Sequence, residues 1–153
     1  MGTTLCCNAL CWRRNGATLF GRRTYENFYD VWHKPRHTTF KEFFDNMPKY
    51  VASTTLGEPL VWVNSTLLKG DTAKAVAELK RKYEKIVIMG SGELIKYLMQ
   101  HNLIDEYALL IHPIVLGEGH RLFAEGVSAN LKLVSSKTTE KGVMVAIYEP
   151  SKS

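Results

Sequence analysis

Apolar residues in this chain alternate between two periods. Short unbroken runs at residues 17–20, 50–53 and 86–89 have the length and content of strands covered on both faces. Between them, apolar residues recur every three or four positions. Tyr25, Phe28, Tyr29 and Trp32 make one face of a helix over residues 22–32. Phe40, Phe43, Phe44 and Met47 make a second, opened by a Thr39–Glu42 capping box and ended by Pro48. Asp71 caps a third over residues 73–83, with Ala73, Val76, Ala77 and Lys80 on one side, and Glu78 and Lys82 spaced as a supporting pair. Leu94, Ile95, Leu98 and Met99 stripe a fourth, which Asn102 stops.

After residue 104 the helical period disappears. Residues 105–116 read as a long strand interrupted by Pro113. Residues 131–139 and 143–149 read as two strands joined around Lys141-Gly142, a hairpin signal. Residues 61–63 and 66–68 are short strand-like pieces around Asn64-Ser65. Residues 5–14 fit either period; they are read here as the remnant of a helix. The order predicts one α/β domain, with a mostly parallel sheet whose C-terminal edge is an antiparallel hairpin. No repeat, linker or low-complexity segment divides it.

The centre of the pattern is residues 86–99: buried strand, glycine turn, amphipathic helix. Gly90 and Gly92 let the backbone turn sharply and leave bare N–H groups at the positive end of a helix. Gly21-Arg22-Arg23-Thr24 and Ser53-Thr54-Thr55 follow two other strands. In an open α/β sheet, ligands bind beyond the carboxyl ends of the strands. If these strands are parallel neighbours, the three stretches meet there and offer N–H donors, two guanidinium groups and hydroxyls, a set suited to a phosphorylated dinucleotide. Each is weak alone. Gly90-Ser91-Gly92 lacks the third glycine of the dinucleotide fingerprint, where Ile95 stands, and fits a purely structural turn equally well.

Composition narrows the classes. The 153 residues are 45% apolar and 23% charged, with a net charge of +5, which suits one domain with an ordinary core. The basic excess fits an anionic ligand, but no basic run with interleaved aromatics appears, so nucleic acid is not expected as a partner. Cys6, Cys7 and Cys11 are an odd, clustered set. They form no disulfide framework and lack a second ligand pair for zinc, so they read as free thiols and no metal is expected. His33 and His37 have no carboxylate or cysteine at ligand spacing. No apolar run reaches the ~18 residues of a membrane span. The first residues match neither a secretory leader nor a myristoylation signal, where Cys6 replaces the required hydroxyl residue. The expected location is cytoplasmic. Asp30 and Tyr25 project from the first helix as candidate proton donors, with Tyr25 better read as core; Trp32 and Trp62 read as core or subunit-seam residues and His112 as a strand residue. No paired carboxylates and no Ser/His/Asp set supports hydrolysis.

Residues 21–26 (Gly21-Arg22-Arg23-Thr24-Tyr25-Glu26), 50–55 (Tyr50-Val51-Ala52-Ser53-Thr54-Thr55), 64–71, 89–92 and 112–119 together resemble the dihydrofolate-reductase-like family. More closely, they resemble its branch related to the C-terminal reductase domain of bacterial riboflavin biosynthesis. The resemblance runs from about residue 17 to residue 150. It implies a mostly parallel sheet with helices on both faces, NADPH as cofactor, a small-molecule substrate and a homodimer. Carried over, Gly21, Arg22, Arg23 and Thr24 would sit at the cofactor's phosphates and Ser53 and Thr54 near the adenosine 2′-phosphate. Gly90, Ser91, Gly92, Glu93 and Leu94 would wrap the pyrophosphate and the nicotinamide side. A 2′-phosphate needs cations and hydroxyls, and an acidic residue at that place would repel it, so the residues offered favour NADPH over NADH.

One departure lies at the front. The family's first strand precedes the strand at residue 17, yet only sixteen residues stand before it here. A parallel crossover takes about a dozen residues or more, so the first strand is expected to be absent, and with it the usual proton donor. The function expected is NADPH-dependent hydride transfer to a small heterocyclic or carbonyl substrate. The alternative is a catalytically inactive nucleotide-binding or dimerisation module left by N-terminal truncation.

Overall fold

A helix between two strands lets them run parallel, and the chain places helices at residues 22–32, 38–46 and 72–82 between successive strands. The computed structural model of the protein describes residues 4–6, 16–32, 38–123 and 125–151. Five strands make the main sheet: β1 (Thr4–Cys6), β2 (Gly16–Gly21), β3 (Lys49–Ala52), β4 (Ser65–Leu68) and β5 (Lys85–Gly90), in the spatial order β1-β5-β2-β3-β4. Every pairing in it is parallel.

Between β2 and β3 the chain carries α1 (Arg22–Trp32) and α2 (Thr38–Asn46), between β4 and β5 it carries α3 (Thr72–Lys82), and α4 (Gly92–Gln100) follows β5. α1 has the bounds its apolar face predicts. α2 starts at Thr38, one residue before the expected cap, and ends ahead of Pro48. Asp71 caps α3 as its side chain requires: Oδ1 accepts from the backbone N–H of Ala73 at 2.9 Å and of Lys74 at 3.2 Å. These bonds, the Lys74 one foremost, hold its carboxyl below the ordinary aspartate range.

Successive strand residues point to opposite faces, and β2 shows the result. Ala17 and Leu19 enter one core with Tyr50, Ile86 and Ile88, covered by Val76 and Leu79 of α3 and by Leu94 and Leu98 of α4. Phe20 enters the other with Val51 and Trp62, covered by Tyr25 of α1 and Phe44 of α2. Helices therefore cover both faces. The second core is aromatic: Phe20, Tyr25, Phe28, Phe44 and Trp62 meet at ring-centroid distances of 5.5–6.3 Å. Tyr25 and Trp62 are core residues, as their spacing implied, and the Tyr25 hydroxyl accepts from the Trp62 backbone N–H at 2.9 Å.

Lys49 is buried under this core. Its Nζ donates to the carbonyls of Phe44 at 2.5 Å and Met47 at 2.8 Å, closing the end of α2, and sits 4.9 Å from the Trp62 ring. Burial lowers its pKa to about 8, against the opposing pull of Asp45.

Three expectations need correction. Thr4–Cys6 is a strand, paired in parallel with β5 through Thr4↔Lys85 and Cys6↔Val87, so the first strand is present. β1 lies beyond β5 rather than beside β2. Its three residues need only an edge partner, so the short connection does not forbid it. The rest of the segment read as helix, residues 7–14, lies outside the described residues, as do Cys7, Cys11, His33 and His37.

Next, residues 61–63 are not a strand. They turn through Asn64, whose φ of 56° suits an asparagine, and bury Trp62 while exposing Val61 and Val63. Finally, the antiparallel strands form a sheet of their own rather than an edge of the first. β6 (Tyr107–Ile111), β7 (Leu131–Thr138) and β8 (Met144–Pro150) lie in the order β6-β8-β7. β7 and β8 are the expected hairpin, turning through Gly142 at φ 78°. Tyr107, Leu109, Leu131 and Tyr148 of this sheet pack onto the core beneath α3 and α4.

Candidate functional site

Register decides which loops meet. Phe20 pairs with Gly90, Gly21 with Ala52, and Ala52 with Leu68. The next residue on each strand therefore emerges at the same edge of the sheet, in the spatial order Ser91, Arg22, Ser53, Lys69. Strands are spaced about 4.8 Å apart, so this row runs roughly 14 Å. The helix after β2 covers one face and the helix after β5 covers the other. Neighbouring connections that diverge in this way leave a crevice between them at the strand ends.

The crevice is a cavity of about 790 Å³. Of the residues proposed from the sequence, Gly21, Arg22, Ser53, Thr54, Ser91, Glu93 and Leu94 line it, and Ala52, Thr55, Leu56, Leu67, Leu68, Lys69, Gly70, Thr72 and Tyr97 complete it. Arg23, Thr24, Gly90 and Gly92 are not part of the wall. Arg23 is exposed on the first turn of α1. Thr24 and Gly90 lie just behind the wall, where they set its shape.

The glycines there answer to close approach. A Cβ on Gly21 would lie 2.6 Å from Ser91 Oγ, 3.0 Å from Ser91 N and 3.2 Å from Ser91 Cβ. A Cβ on Gly90 would lie 2.9 Å from Thr24 Oγ1, and Gly90 has φ +125°, a conformation side chains rarely adopt. The peptide bond between Gly90 and Ser91 is cis. Gly92 faces open space.

Two helix starts at the cavity differ in how their donors are used. At α3 the Asp71 carboxylate takes two first-turn N–H groups. At α4 the N-cap is Ser91, whose side chain makes no capping bond. The α4 start therefore keeps its donors available to an anion. Glu93 in its first turn is the acidic group on the wall.

Ser53 also has a structural part. Its Oγ accepts from the backbone N–H of Thr55 at 3.1 Å and of Leu56 at 3.0 Å. It shapes the loop, with its Oγ also 3.4 Å from Thr55 Oγ1, and leaves Thr54 and Thr55 exposed at the wall. The cations of the wall are Arg22, 3.8 Å from Glu26, and Lys69, 2.5 Å from Glu58. Lys69 was missed as a site residue. Its signal was the strand beneath it: residues 66–68 run parallel to residues 50–52, which puts the following residue on the same rim.

Tyr97 closes one side of the cavity and stacks on His101, with ring centroids 4.3 Å apart. Asp30 and His112 are exposed and away from this wall. A second cavity, about 820 Å³, lies between the end of α4 and residues 126–129 and shares no residue with the first. Among the described residues no cluster of His, Cys, Asp and Glu could hold a metal ion, and no helix is long and apolar enough to cross a membrane.

Comparison with known proteins agrees with the geometry. The model of the RibD C-terminal domain family matches residues 12–145. The uncharacterized protein YyaP of Bacillus subtilis (strain 168) is 33% identical over 143 aligned positions, covering 85% of this chain and 71% of that one. A crystal structure from Shewanella sp. PV-4, of a protein assigned by name to riboflavin biosynthesis, superposes with a TM-score of 0.73 at 24% identity. It covers 92% of this chain and 76% of that one. RibD of Acinetobacter baumannii superposes with a TM-score of 0.60 at 14% identity, over 90% of this chain and 47% of that one. At such identities the structural likenesses speak for the fold, and the family match carries the assignment: the chain belongs to the RibD C-terminal domain family and has its reductase-like fold.

Proposed function

We propose that the protein is an NADPH-dependent reductase acting on a small heterocyclic or carbonyl substrate, and that the cavity at the strand ends holds the cofactor. The observation that carries this reading is the row Ser91, Arg22, Ser53, Lys69 along one rim. The donor set fits the group chemically. The uncapped start of α4 and the guanidinium of Arg22 suit a pyrophosphate. Thr54, Thr55 and Lys69 suit a further phosphate on the adenosine side. Arg23 and Thr24 flank this set, and Ser91 brings the backbone to the wall, with Gly90 and Gly92 as its chain neighbours.

Bound NADPH would supply the hydride. The chain's part is to fix the nucleotide's ends, to bring the α4 start and Leu94 against its reactive side, and to shield that side from water. Tyr25 is committed to the core and is no proton donor. The inactive-module alternative rested on a missing first strand, and β1 removes that ground.

Family membership also favours a homodimer, and the surface offers a place for it. Ile111, Ile114, Val115 and Leu116 are exposed in sequence around the end of β6, beside the exposed side chain of Met144, the register partner of Ile111. Val115 is 95% exposed. A cluster of exposed apolar side chains of this kind suits an association surface.

Titration with NADPH and NADH, followed by tryptophan fluorescence, tests the cofactor. Tighter binding of NADPH is expected; no binding, or a preference for NADH, refutes the reading. Sedimentation of the protein and its Val115→Glu variant tests the cluster. A dimer that the variant splits is expected, and an unchanged sedimentation coefficient would be decisive against it.

A further inference from the structure

Lys69 and Ser53 leave neighbouring parallel strands side by side, because Ala52 and Leu68 are register partners. Lys69 is the outermost cation of the rim, at the end far from the α4 start. Its ammonium is 2.5 Å from the carboxylate of Glu58, which comes from the connection between β3 and β4. Glu58 is not part of the cavity wall, while Lys69 is. The pair thus reaches from just outside the cavity to just inside it. The other ion pair at the wall, Arg22–Glu26, is longer and lies within one helix.

We propose that this pair is an exchange element that makes the site selective for a 2′-phosphorylated dinucleotide: the phosphate takes Lys69 from Glu58, and a ribose hydroxyl cannot. The inference rests on the cofactor reading above and adds to it the group that discriminates and its built-in competitor. Both side chains are largely solvent-exposed, at 73% and 44%. An exposed pair of this kind is weak, so Lys69 is held in place without being withheld. A phosphate monoester carries about −1.5 to −2 charge at neutral pH and three acceptor oxygens. It outbids a single carboxylate for an ammonium group. An unphosphorylated ribose brings no charge and leaves the pair closed. Hydroxyls of Thr54 and Thr55 stand on the neighbouring strand end to take the remaining phosphate oxygens.

The test is a double-mutant cycle on the full chain, with NADPH and NADH as probes and calorimetry as readout. Lys69→Gln is expected to weaken NADPH about tenfold and to leave NADH within about twofold, the loss of one charge-assisted contact. Glu58→Gln is expected to tighten NADPH about two- to fivefold by removing the competitor. In the double variant the Glu58 effect disappears, because the lysine it competes for is gone.

If Lys69→Gln weakens both nucleotides alike, or neither, the exchange is refuted while the cofactor reading stands. If Glu58→Gln still tightens NADPH in the absence of Lys69, the carboxylate acts by general repulsion and the exchange is refuted. If the unaltered protein binds neither nucleotide, both fall. Urea midpoints of all four proteins separate these results from unfolding. A pair that serves only to staple the loop would move the midpoint and leave the NADPH-to-NADH ratio alone.

Discussion

The contact between Gly21 and Ser91 is the point at which two strand ends are held close enough to share a site, and it can be broken by one methyl group. Gly21→Ala places a Cβ 2.6 Å from Ser91 Oγ, 3.0 Å from its N and 3.2 Å from its Cβ. The hydroxyl can rotate away, but the backbone nitrogen and the Cβ cannot. β5 and the start of α4 must therefore shift by several tenths of an ångström. Overpacking of this kind costs about 1–3 kcal/mol. For a chain of this length each kcal/mol lowers Tm by roughly 2–4 °C. Ser91→Gly alone should cost only a few tenths of a kcal/mol, since the Ser91 side chain makes no capping bond. Combined, the two should show a favourable coupling of about 1 kcal/mol, because the Oγ and Cβ clashes vanish and the backbone one remains. Urea denaturation of the four proteins measures the coupling directly. If Gly21→Ala is as stable as the parent, or if the two changes simply add, the close approach is not what keeps a glycine there.

Burial and charge give further expectations. The Lys49 amine releases its proton near pH 8 in the folded chain and near 10.4 when unfolded. The unfolded state therefore binds more protons between these values, and stability should rise with pH across that window. The slope is at most about 1.4 kcal/mol per pH unit, an upper bound because the two carbonyl acceptors favour the charged form. Lys49→Met should lack the rise; parallel pH profiles of the urea midpoint for the two proteins would refute it. Asp71 has its carboxyl held low in the fold, so its capping contribution is present above the ordinary aspartate pKa and disappears as pH falls through the lowered one. Asp71→Ala should then lower Tm at pH 7 and matter less in strong acid, and an equal effect at both would argue against capping. Glu93→Gln should tighten NADPH by removing a like charge from the α4 start, and raising salt from 50 to 300 mM should shrink that gain; a salt-independent gain would point to shape rather than charge.

Much of the fold was legible because its determinants are local. The face made by Tyr25, Phe28, Tyr29 and Trp32 gave the bounds of α1, and Asp71 marked the start of α3. The runs at residues 17–20, 50–53 and 86–89 fall on β2, β3 and β5, with Ser53 just past the end of β3, and only parallel neighbours would put the residues that follow on one rim. What failed was not local. β1 is three residues long, shorter than any period can reveal, and depends on β5, eighty residues away, for its pairing. Val61-Trp62-Val63 has strand composition, but Trp62 is claimed by a core already holding Phe20 and Phe44. The indole N–H donates to Asp45 at 2.6 Å, so the segment turns to deliver one side chain rather than extending to pair. Ser53 is a local case of another kind: it stands on the rim, and its hydroxyl also serves its own loop, two and three residues on.

The same distinction explains why the site's shape and its charge come from different places. The crevice exists because the connections after β2 and β5 diverge to opposite faces, and that follows from which side of the sheet is apolar at each crossover. No single polar residue is needed for it. The charge pattern along the rim is set by single residues in loops, where the backbone tolerates almost any side chain. A lysine at position 69 and a glutamate at 58 could therefore be altered without touching the sheet, whereas Gly21 and Gly90 cannot. The charge at the Lys69 end of the row is thus free to vary on this scaffold, while the end near Ser91 is pinned by packing.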